Sequence, residues 1–339
     1  AFTTCSPPSA CLTARRIMLR ISSSLSSNIL AEFDEDEFSA TAEKHGATTC
    51  LALKRCLANR IGQSRFRQRL FHDGSQVNDH EILTPPMDLQ LVILDIRTSA
   101  QQEDHRLIDA CWGNHWEELE SLLQGPQDPN TCRDEGEAAL YIAANEGHVE
   151  CVNLLLEAMA DVHHMQATNS ETAVHSAAFH SHLEVVKLLL EAGADKDAAR
   201  PDGATALHFA AEHGNLELVH LMLEAGADRN MQMETWGGSM TALDWAAQGG
   251  HLDVARLLLG SAHEGTCLRM CRSKTMLLAV QSWSVEIVRL LLDSGADKNF
   301  VMKDSGGWGA LHHAAAYGAL DMVRFLLDSN IEMNNGDDE

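Results

Sequence analysis

A unit of 33 to 36 residues that recurs along the chain constrains its fold more than any other feature. Each copy begins near one apolar residue, and the seven such residues are Leu107, Leu140, Val174, Leu207, Leu243, Met276 and Leu311. The intervals between them are 33, 34, 33, 36, 33 and 35 residues. Self-similarity at such a period indicates stacked structural units that each contact only their neighbours. The sequence therefore predicts an array of about seven units.

Each unit has the pattern of two short helices joined by a tight turn. Small residues such as Ala210-Ala211 allow the first helices of adjacent units to approach closely, and Gly214 follows them where the chain reverses. A reversal of this kind favours a residue that is free to adopt positive φ. Val185 to Leu189 then provide the apolar face of a second helix, which Gly193 ends. The repeated unit is therefore predicted to be a helix–turn–helix.

Two motifs recur in register, Thr-Ala-Leu/Val-His at Thr172–His175 and Thr205–His208, and Leu-Leu-Leu-Glu-Ala-Gly-Ala-Asp at Leu188–Asp195. They resemble the ankyrin repeat, with Ala in place of the Pro of Thr-Pro-Leu-His. The resemblance covers about 230 residues, with a degenerate first and sixth unit. It implies an α-helical solenoid that binds proteins on an open face, with the fourth-position histidines linking loops of adjacent repeats.

The segment before the array has a different pattern, of short apolar strands and one helix. The predicted elements are a hairpin of Ile17–Ile21 and Ile29–Phe33, a helix at Leu51–Ile61, a strand at Arg67–Phe71, a turn at Asp73–Gly74 and a strand at Leu89–Leu94. Gln68–Phe71, Gly74 and Asp88–Leu94 make this segment similar to ubiquitin-like β-grasp domains. The fold class is thus an ankyrin solenoid preceded by a small α+β ubiquitin-like β-grasp domain.

The ubiquitin-like resemblance has two consequences. Asp95-Ile-Arg97 leads into Thr98 without a Gly-Gly pair, so the domain is not expected to be a conjugatable modifier. Phe71 and Val92 occupy the positions of the family's apolar binding patch, and Arg65, Arg67 and Arg69 are expected to surround it with positive charge. An ordinary solvated sheet and docking of this basic strand onto the acidic array are the alternatives.

The predicted organisation is a flexible tail (1–16), the β-grasp domain (17–97), a linker (98–104), the repeats (105–335) and an acidic tail (336–339). Residues 1–16 lack acidic residues and end in Arg-Arg, so a targeting remnant is the alternative to a plain tail. The absent initial Met and the apolar last helix leave open whether the chain is part of a longer protein.

Charge and composition exclude several functions. The net charge is −24; the first 100 residues hold 11 basic and 11 acidic residues, which leaves 14 basic and 38 acidic residues in the remainder. Such a segment repels phosphates, so nucleic-acid binding is not expected, whereas attraction of a basic partner surface is an alternative to a merely solvated surface. No apolar run approaches the roughly 20 residues of a membrane span.

Nine scattered cysteines favour reduced thiols and hence a cytoplasmic location, with a nuclear one as the alternative. His263, Cys267 and Cys271 offer too few ligands for a structural zinc site. The sequence has no phosphate-binding loop, nucleophile elbow or zincin motif. We therefore expect no catalytic residue, no cofactor and no metal.

Residues that depart from the repeat pattern are the candidates for partner binding, because aromatic residues dominate interface energies. On the first helices they are Phe179, His180, Phe209, His213, Trp245, His313 and Tyr317, and at the loop tips Trp236, Phe300 and Trp308. We expect about half of them to pack against the adjacent repeat instead.

The leading hypothesis is a monomeric, non-enzymatic adaptor, whose array binds one protein and whose β-grasp domain contacts a second. A substrate receptor of the ubiquitin–proteasome system is a narrower alternative. The regulatory part of a larger enzyme or channel is an alternative of another class.

Overall fold

The computed structural model describes residues 17–23, 29–34, 49–83, 87–94, 105–125, 127–133, 136–236, 238–260, 266–302 and 308–329. The chain divides into two compact units. The first comprises Ala1–Asp104, Glu117–Pro129 and Glu157–Ala160, and the second comprises His105–Trp116, Asn130–Leu156 and Asp161–Glu339. Among the described helices, none has the length and apolar character needed to cross a membrane.

Before the repeats, the described residues of the first unit form a five-stranded mixed sheet with one α-helix and a short 3-10 helix (Arg65–Arg67). Its elements are β1 (Ile17–Ser23), β2 (Ile29–Asp34), α1 (Cys50–Ile61), β3 (Gln68–His72), β4 (Ser75–Gln76) and β5 (Met87–Ile93). The strand order is β2-β1-β5-β3-β4, in which β1 and β5 are parallel and the other neighbours antiparallel. The predicted hairpin, helix and later strands are confirmed, with ends that differ by one or two residues.

Side chains along each strand alternate between the two faces of this sheet, and apolar side chains fill one of these faces. Leu70 on β3 lies opposite Leu91 on β5, and Ile21 on β1 lies opposite Leu89, all fully or almost fully buried. Leu57 of α1 packs in the same core. Because successive side chains point to opposite faces, Phe71 and Val92 are placed on the other side of the sheet.

Seven helix pairs follow along the described chain. They are Arg106–Trp112 (α2) with Trp116–Gln124 (α3), Ala139–Asn145 (α4) with Val149–Glu157 (α5), Ala173–Phe179 (α6) with Leu183–Glu191 (α7), Ala206–Glu212 (α8) with Leu216–Glu224 (α9), Ala242–Gln248 (α10) with Leu252–Leu259 (α11), Thr266–Gln281 (α12) with Val285–Asp293 (α13), and Ala310–Ala316 (α14) with Leu320–Asp328 (α15). First helices stack on first helices, and from α7 onward second helices stack on second helices. The stack of helix pairs predicted from the period is confirmed.

Two short hairpins lie in the loops between pairs. Met233–Thr235 (β6) pairs with Gly238–Met240 (β7), and Val301–Met302 (β8) pairs with Trp308–Gly309 (β9). The first corresponds to the insertion around Trp236. The sixth unit departs from the others because its first helix, α12, has 16 residues.

Buried threonine–histidine pairs begin the first helices and tie them to the next loop. His175 Nδ1 accepts from the Thr172 N–H (3.2 Å), so its Nε2 carries the proton and donates to the Ala198 carbonyl (2.9 Å). His208 does the same between Thr205 and the Met231 carbonyl (3.1 Å). The predicted link between loops of adjacent repeats is confirmed at these histidines.

The fifth pair reverses the direction of this link. Asp244 stands where the third, fourth and seventh pairs have histidine. Its Oδ2 accepts from the Thr241 N–H (2.9 Å). Its Oδ1 accepts from the hydroxyl of Thr275 in the next pair. A carboxylate cannot donate to a loop carbonyl, so the neighbour must supply the donor instead.

A second interlock joins a glycine of one pair to a histidine of the next. His251 Nε2 lies 3.0 Å from the Glu212 carbonyl, and its ring covers Gly214, whose φ is +67°. A Cβ at Gly214 would lie 2.3 Å from His251 Nδ1. His182 sits over Gly147 in the same way. These histidines therefore hold adjacent pairs together.

Candidate functional site

The structure separates the candidate partner-binding residues by exposure. Phe179, His180, His213, Trp236, Trp308 and Tyr317 are exposed, Trp245 and Phe300 are half-buried, and Phe209 and His313 are buried. In the sheet unit, Phe71 and Val92 are half-buried. A role in partner binding stays a prediction for all of them, but Phe209 and His313 do not themselves form an open surface.

Four of the candidates form one group, which we call the aromatic–histidine cluster: Phe179, His180, Phe209 and His213. The Phe179 ring centroid lies 5.1 Å from that of His180, 5.6 Å from that of Phe209 and 5.0 Å from that of His213, all edge to face. Phe179 is 45% exposed, whereas Phe209 beneath it is 6% exposed. The cluster is an aromatic surface supported by a buried ring.

Helix position explains the difference between the two phenylalanines. Phe209 is the fourth residue of α8, a position that is also buried in α4 and α6 (Ile142 and Ser176). Phe179 is the last residue of α6, where the helix ends and the neighbouring pair covers less of the ring. His180 and His213 follow directly as the C-caps of α6 and α8.

The hydrogen bonds of the two C-cap histidines fix which ring nitrogen carries the proton when the imidazoles are neutral. His180 Nδ1 lies 3.1 Å from the Ser176 carbonyl, and His213 Nδ1 lies 2.9 Å from the Phe209 carbonyl. A carbonyl oxygen can only accept, so each Nδ1 donates. Each Nε2 is then left as a hydrogen-bond acceptor beside the Phe179 ring.

A polar network lies next to the buried ring of the cluster. Arg200 places its guanidinium carbon 5.8 Å from the Phe209 ring centroid, and its charge is balanced by Glu171 (2.8 Å) and Asp202 (3.1 Å). The Tyr141 hydroxyl donates to Glu171 (3.0 Å). Burial, reinforced by the Glu171 carboxylate, raises the pKa of Tyr141 to about 12. Sequence reasoning missed this network, since Tyr141, Glu171 and Arg200 lie about 30 positions apart, in one helix and two loops.

Carboxylates extend from the cluster along the same edge of the stack. Glu212 holds in α8 the position that Phe179 holds in α6, and Glu146 holds after α4 the position of His180. Both are exposed. The edge therefore combines aromatic, acceptor and anionic groups.

Three other candidates form a separate group in the last pair. His313 lies 5.6 Å from Trp308 and 6.5 Å from Tyr317 by ring centroids. Both flanking rings are exposed, while His313 is buried and neither of its ring nitrogens has a hydrogen-bond partner in the described part of the chain. Burial lowers the pKa of His313.

The remaining aromatic candidates are separate from these groups. Trp236 is fully exposed in the turn between β6 and β7. Trp245 is half-buried, and its buried indole nitrogen has no hydrogen-bond partner among the described residues. No ring contact joins Trp236, Trp245 or Phe300 to another candidate within the part of the chain that is described.

The expectation that Arg65 surrounds the apolar patch of Phe71 and Val92 is wrong. Arg69 does lie opposite Val92, as expected of a residue beside that patch. Arg65, however, is buried, because its guanidinium is paired with Glu157 and lies 3.0 Å from Glu120, both within the same compact unit. Ion pairing removes this charge from the surface, so Arg65 does not surround the patch.

No group of three or more histidine, cysteine, aspartate or glutamate side chains that could hold a metal ion occurs among the described residues. The His263, Cys267 and Cys271 pattern lies outside the side chains that the structure describes.

Comparison with known families gives one match. The family model described as ankyrin repeats matches three times, over residues 107–200, 195–270 and 263–337. A search of curated proteins finds no match to the chain.

Proposed function

This chain belongs to the ankyrin-repeat family, and we propose that it is a non-enzymatic adaptor that binds a protein partner through its repeats. The aromatic–histidine cluster carries this proposal. An exposed phenylalanine fixed by a buried one presents apolar area at low entropic cost, which is the property of residues that dominate interfaces. Trp308, Tyr317 and Trp236 provide further exposed aromatic surface.

The charge of the chain favours a basic partner. The region from residue 101 onward carries the whole net charge of −24. Opposite charge on the partner accelerates association and disfavours acidic competitors. We therefore propose a partner surface rich in lysine and arginine.

The N-terminal unit is proposed to be a ubiquitin-like domain that contacts a second protein. Support comes from the strand order β2-β1-β5-β3-β4, with β1 parallel to β5 and α1 between β2 and β3, which is the arrangement expected of a β-grasp fold. Phe71 and Val92 are its proposed contact residues. The same observation favours a second candidate function, that of a substrate receptor in the ubiquitin–proteasome system.

Affinity capture with the full chain tests the adaptor proposal. We expect Phe179→Ala to lose the captured proteins, whereas Leu320→Ala, an equally apolar exposed residue of α15, should retain them. Circular dichroism confirms that both variants are folded. If neither Phe179→Ala nor Trp236→Ala changes the captured set, the interface assignment is wrong.

The second contact is tested with Phe71→Ala and Val92→Ala in the same experiment. Loss of proteasomal receptors or ubiquitin ligases from the captured set would support the substrate-receptor function. Capture that never includes such proteins would refute it and leave the adaptor proposal intact.

A further inference from the structure

We infer that the aromatic–histidine cluster binds an arginine side chain of a basic partner segment. This inference rests on the proposed function, because it names the group that the cluster recognises. Three properties of the cluster lead to it: its acceptors, its exposed ring and the carboxylates beside it.

The acceptors come from the two C-cap histidines. His180 and His213 each use Nδ1–H on a carbonyl of their own helix, at 3.1 and 2.9 Å. Each neutral imidazole therefore offers Nε2 as an acceptor, and both rings contact Phe179 at about 5 Å. A surface that presents two acceptors matches a ligand that only donates. Among side chains, arginine and lysine meet this condition.

The exposed ring favours arginine over lysine. A guanidinium is planar, stacks on aromatic faces and directs several N–H groups outward from one plane, whereas an ammonium is a compact and strongly hydrated point charge. The chain itself contains such a contact, since Arg200 lies 5.8 Å from the ring centroid of Phe209. Glu171 and Asp202 neutralise Arg200, so it leaves no excess positive charge to repel a second guanidinium.

The carboxylates supply the opposite charge. Glu212 stands one pair after Phe179 in the same helix position, and Glu146 stands one pair before His180. Both are exposed, and no ion pair joins either of them to a cation of the described residues. An arginine over Phe179 would lie between them along the stack, which satisfies its charge without burying it.

Selection from a random dodecapeptide phage library on the full chain tests the inference, with the Phe179→Leu chain as the subtractive control. Leucine keeps the apolar bulk and the helix but removes the aromatic face. We expect the enriched peptides to share an arginine. Replacing that arginine by citrulline, which has nearly the same shape but no charge, should weaken binding about tenfold or more in a fluorescence-anisotropy titration.

Further variants separate the contributions that the peptide charge, Glu212 and the histidine acceptors make to binding. Replacing the peptide arginine by lysine should weaken binding less than citrulline does, and Glu212→Gln should weaken binding about twofold to fivefold. His213→Leu, which removes one acceptor, should weaken arginine peptides more than citrulline peptides. Trp308→Ala, in the separate group of the last pair, should leave these affinities unchanged.

The outcomes that overturn the inference are distinct from those that overturn the proposed function. Peptides that require Phe179 but tolerate citrulline would refute arginine recognition and leave the cluster as a protein-binding site. Peptides that bind the Phe179→Leu chain equally well would refute the cluster as the site. Absence of any enriched peptide would refute arginine recognition.

Discussion

Replacing Gly214 by alanine probes the contact between the fourth and fifth helix pairs. With φ at +67°, an alanine at this position costs about 1–2 kcal/mol in backbone strain. Its Cβ would also lie 2.3 Å from Nδ1 and 2.5 Å from Cε1 of His251, so the ring must move. That movement breaks the hydrogen bond from His251 Nε2 to the Glu212 carbonyl, worth about 1 kcal/mol.

Gly250 provides the matched control, since its φ is +74° but a Cβ there would meet nothing within 4 Å. Gly250→Ala should therefore cost only the backbone strain, about 1–2 kcal/mol. Gly214→Ala should cost about 1–2 kcal/mol more than the control, because it adds the steric contact to the lost hydrogen bond.

Urea unfolding of the full chain, followed by far-UV circular dichroism, measures both variants. The double variant Gly214→Ala/His251→Asn should recover the steric part of the loss, because the ring that clashes is gone, and should stay about 1 kcal/mol below Gly250→Ala, because the hydrogen bond to the Glu212 carbonyl is still missing. The chain contains this combination already, with Ser181 at φ +62° followed in the next pair by Asn215. Equal losses for Gly214→Ala and Gly250→Ala would show that the ring contact does not stabilise the stack.

Three further predictions follow from burial and hydrogen bonding. Thr275→Val should lower the free energy of unfolding by about 1–3 kcal/mol, because Asp244 Oδ1 loses its donor in a buried site, whereas Thr275→Ser should be nearly neutral. Burial lowers the pKa of His175 and His208, so the unfolded chain binds more protons than the folded chain. Urea midpoints should therefore fall as the pH drops below about 6.5, the unperturbed histidine pKa. Midpoints that stay unchanged between pH 7.5 and 5.5 would contradict this. Trp236→Ser should change the free energy of unfolding by no more than about 0.5 kcal/mol, since the indole is fully exposed; a larger loss in thermal melts would mean that it packs against the protein.

Periodicity predicted the helix pairs, and the resemblance to the ankyrin repeat implied the role of the threonine–histidine motifs, because both depend on local spacing and on the immediately neighbouring loop. It could not distinguish Phe209 from Phe179, since coverage of a ring depends on how far the next pair extends over it. The proton positions of His180 and His213 follow from carbonyl contacts within each helix turn, which residue identity alone does not reveal.

Longer-range partners were equally hidden from the sequence. Asp244 was visible as a departure from the motif, but its donor Thr275 lies 31 residues away in the most degenerate unit. Arg65 has the residue type of a surface charge, and only tertiary packing shows that it is buried in ion pairs. Both cases depend on contacts that no local pattern encodes.

The reversed link between Asp244 and Thr275 limits how this array can change its copy number. A deletion of the unit that contains Thr275 would leave the Asp244 carboxylate facing a new neighbour that lacks the required hydroxyl. A duplication of the Asp244 unit would set Ala242 of the second copy where Thr275 now stands, so the Asp244 carboxylate of the first copy would lose its donor. A junction where the histidine donor meets a carbonyl, such as His175 with Ala198, makes no such demand on the side chains of the next unit.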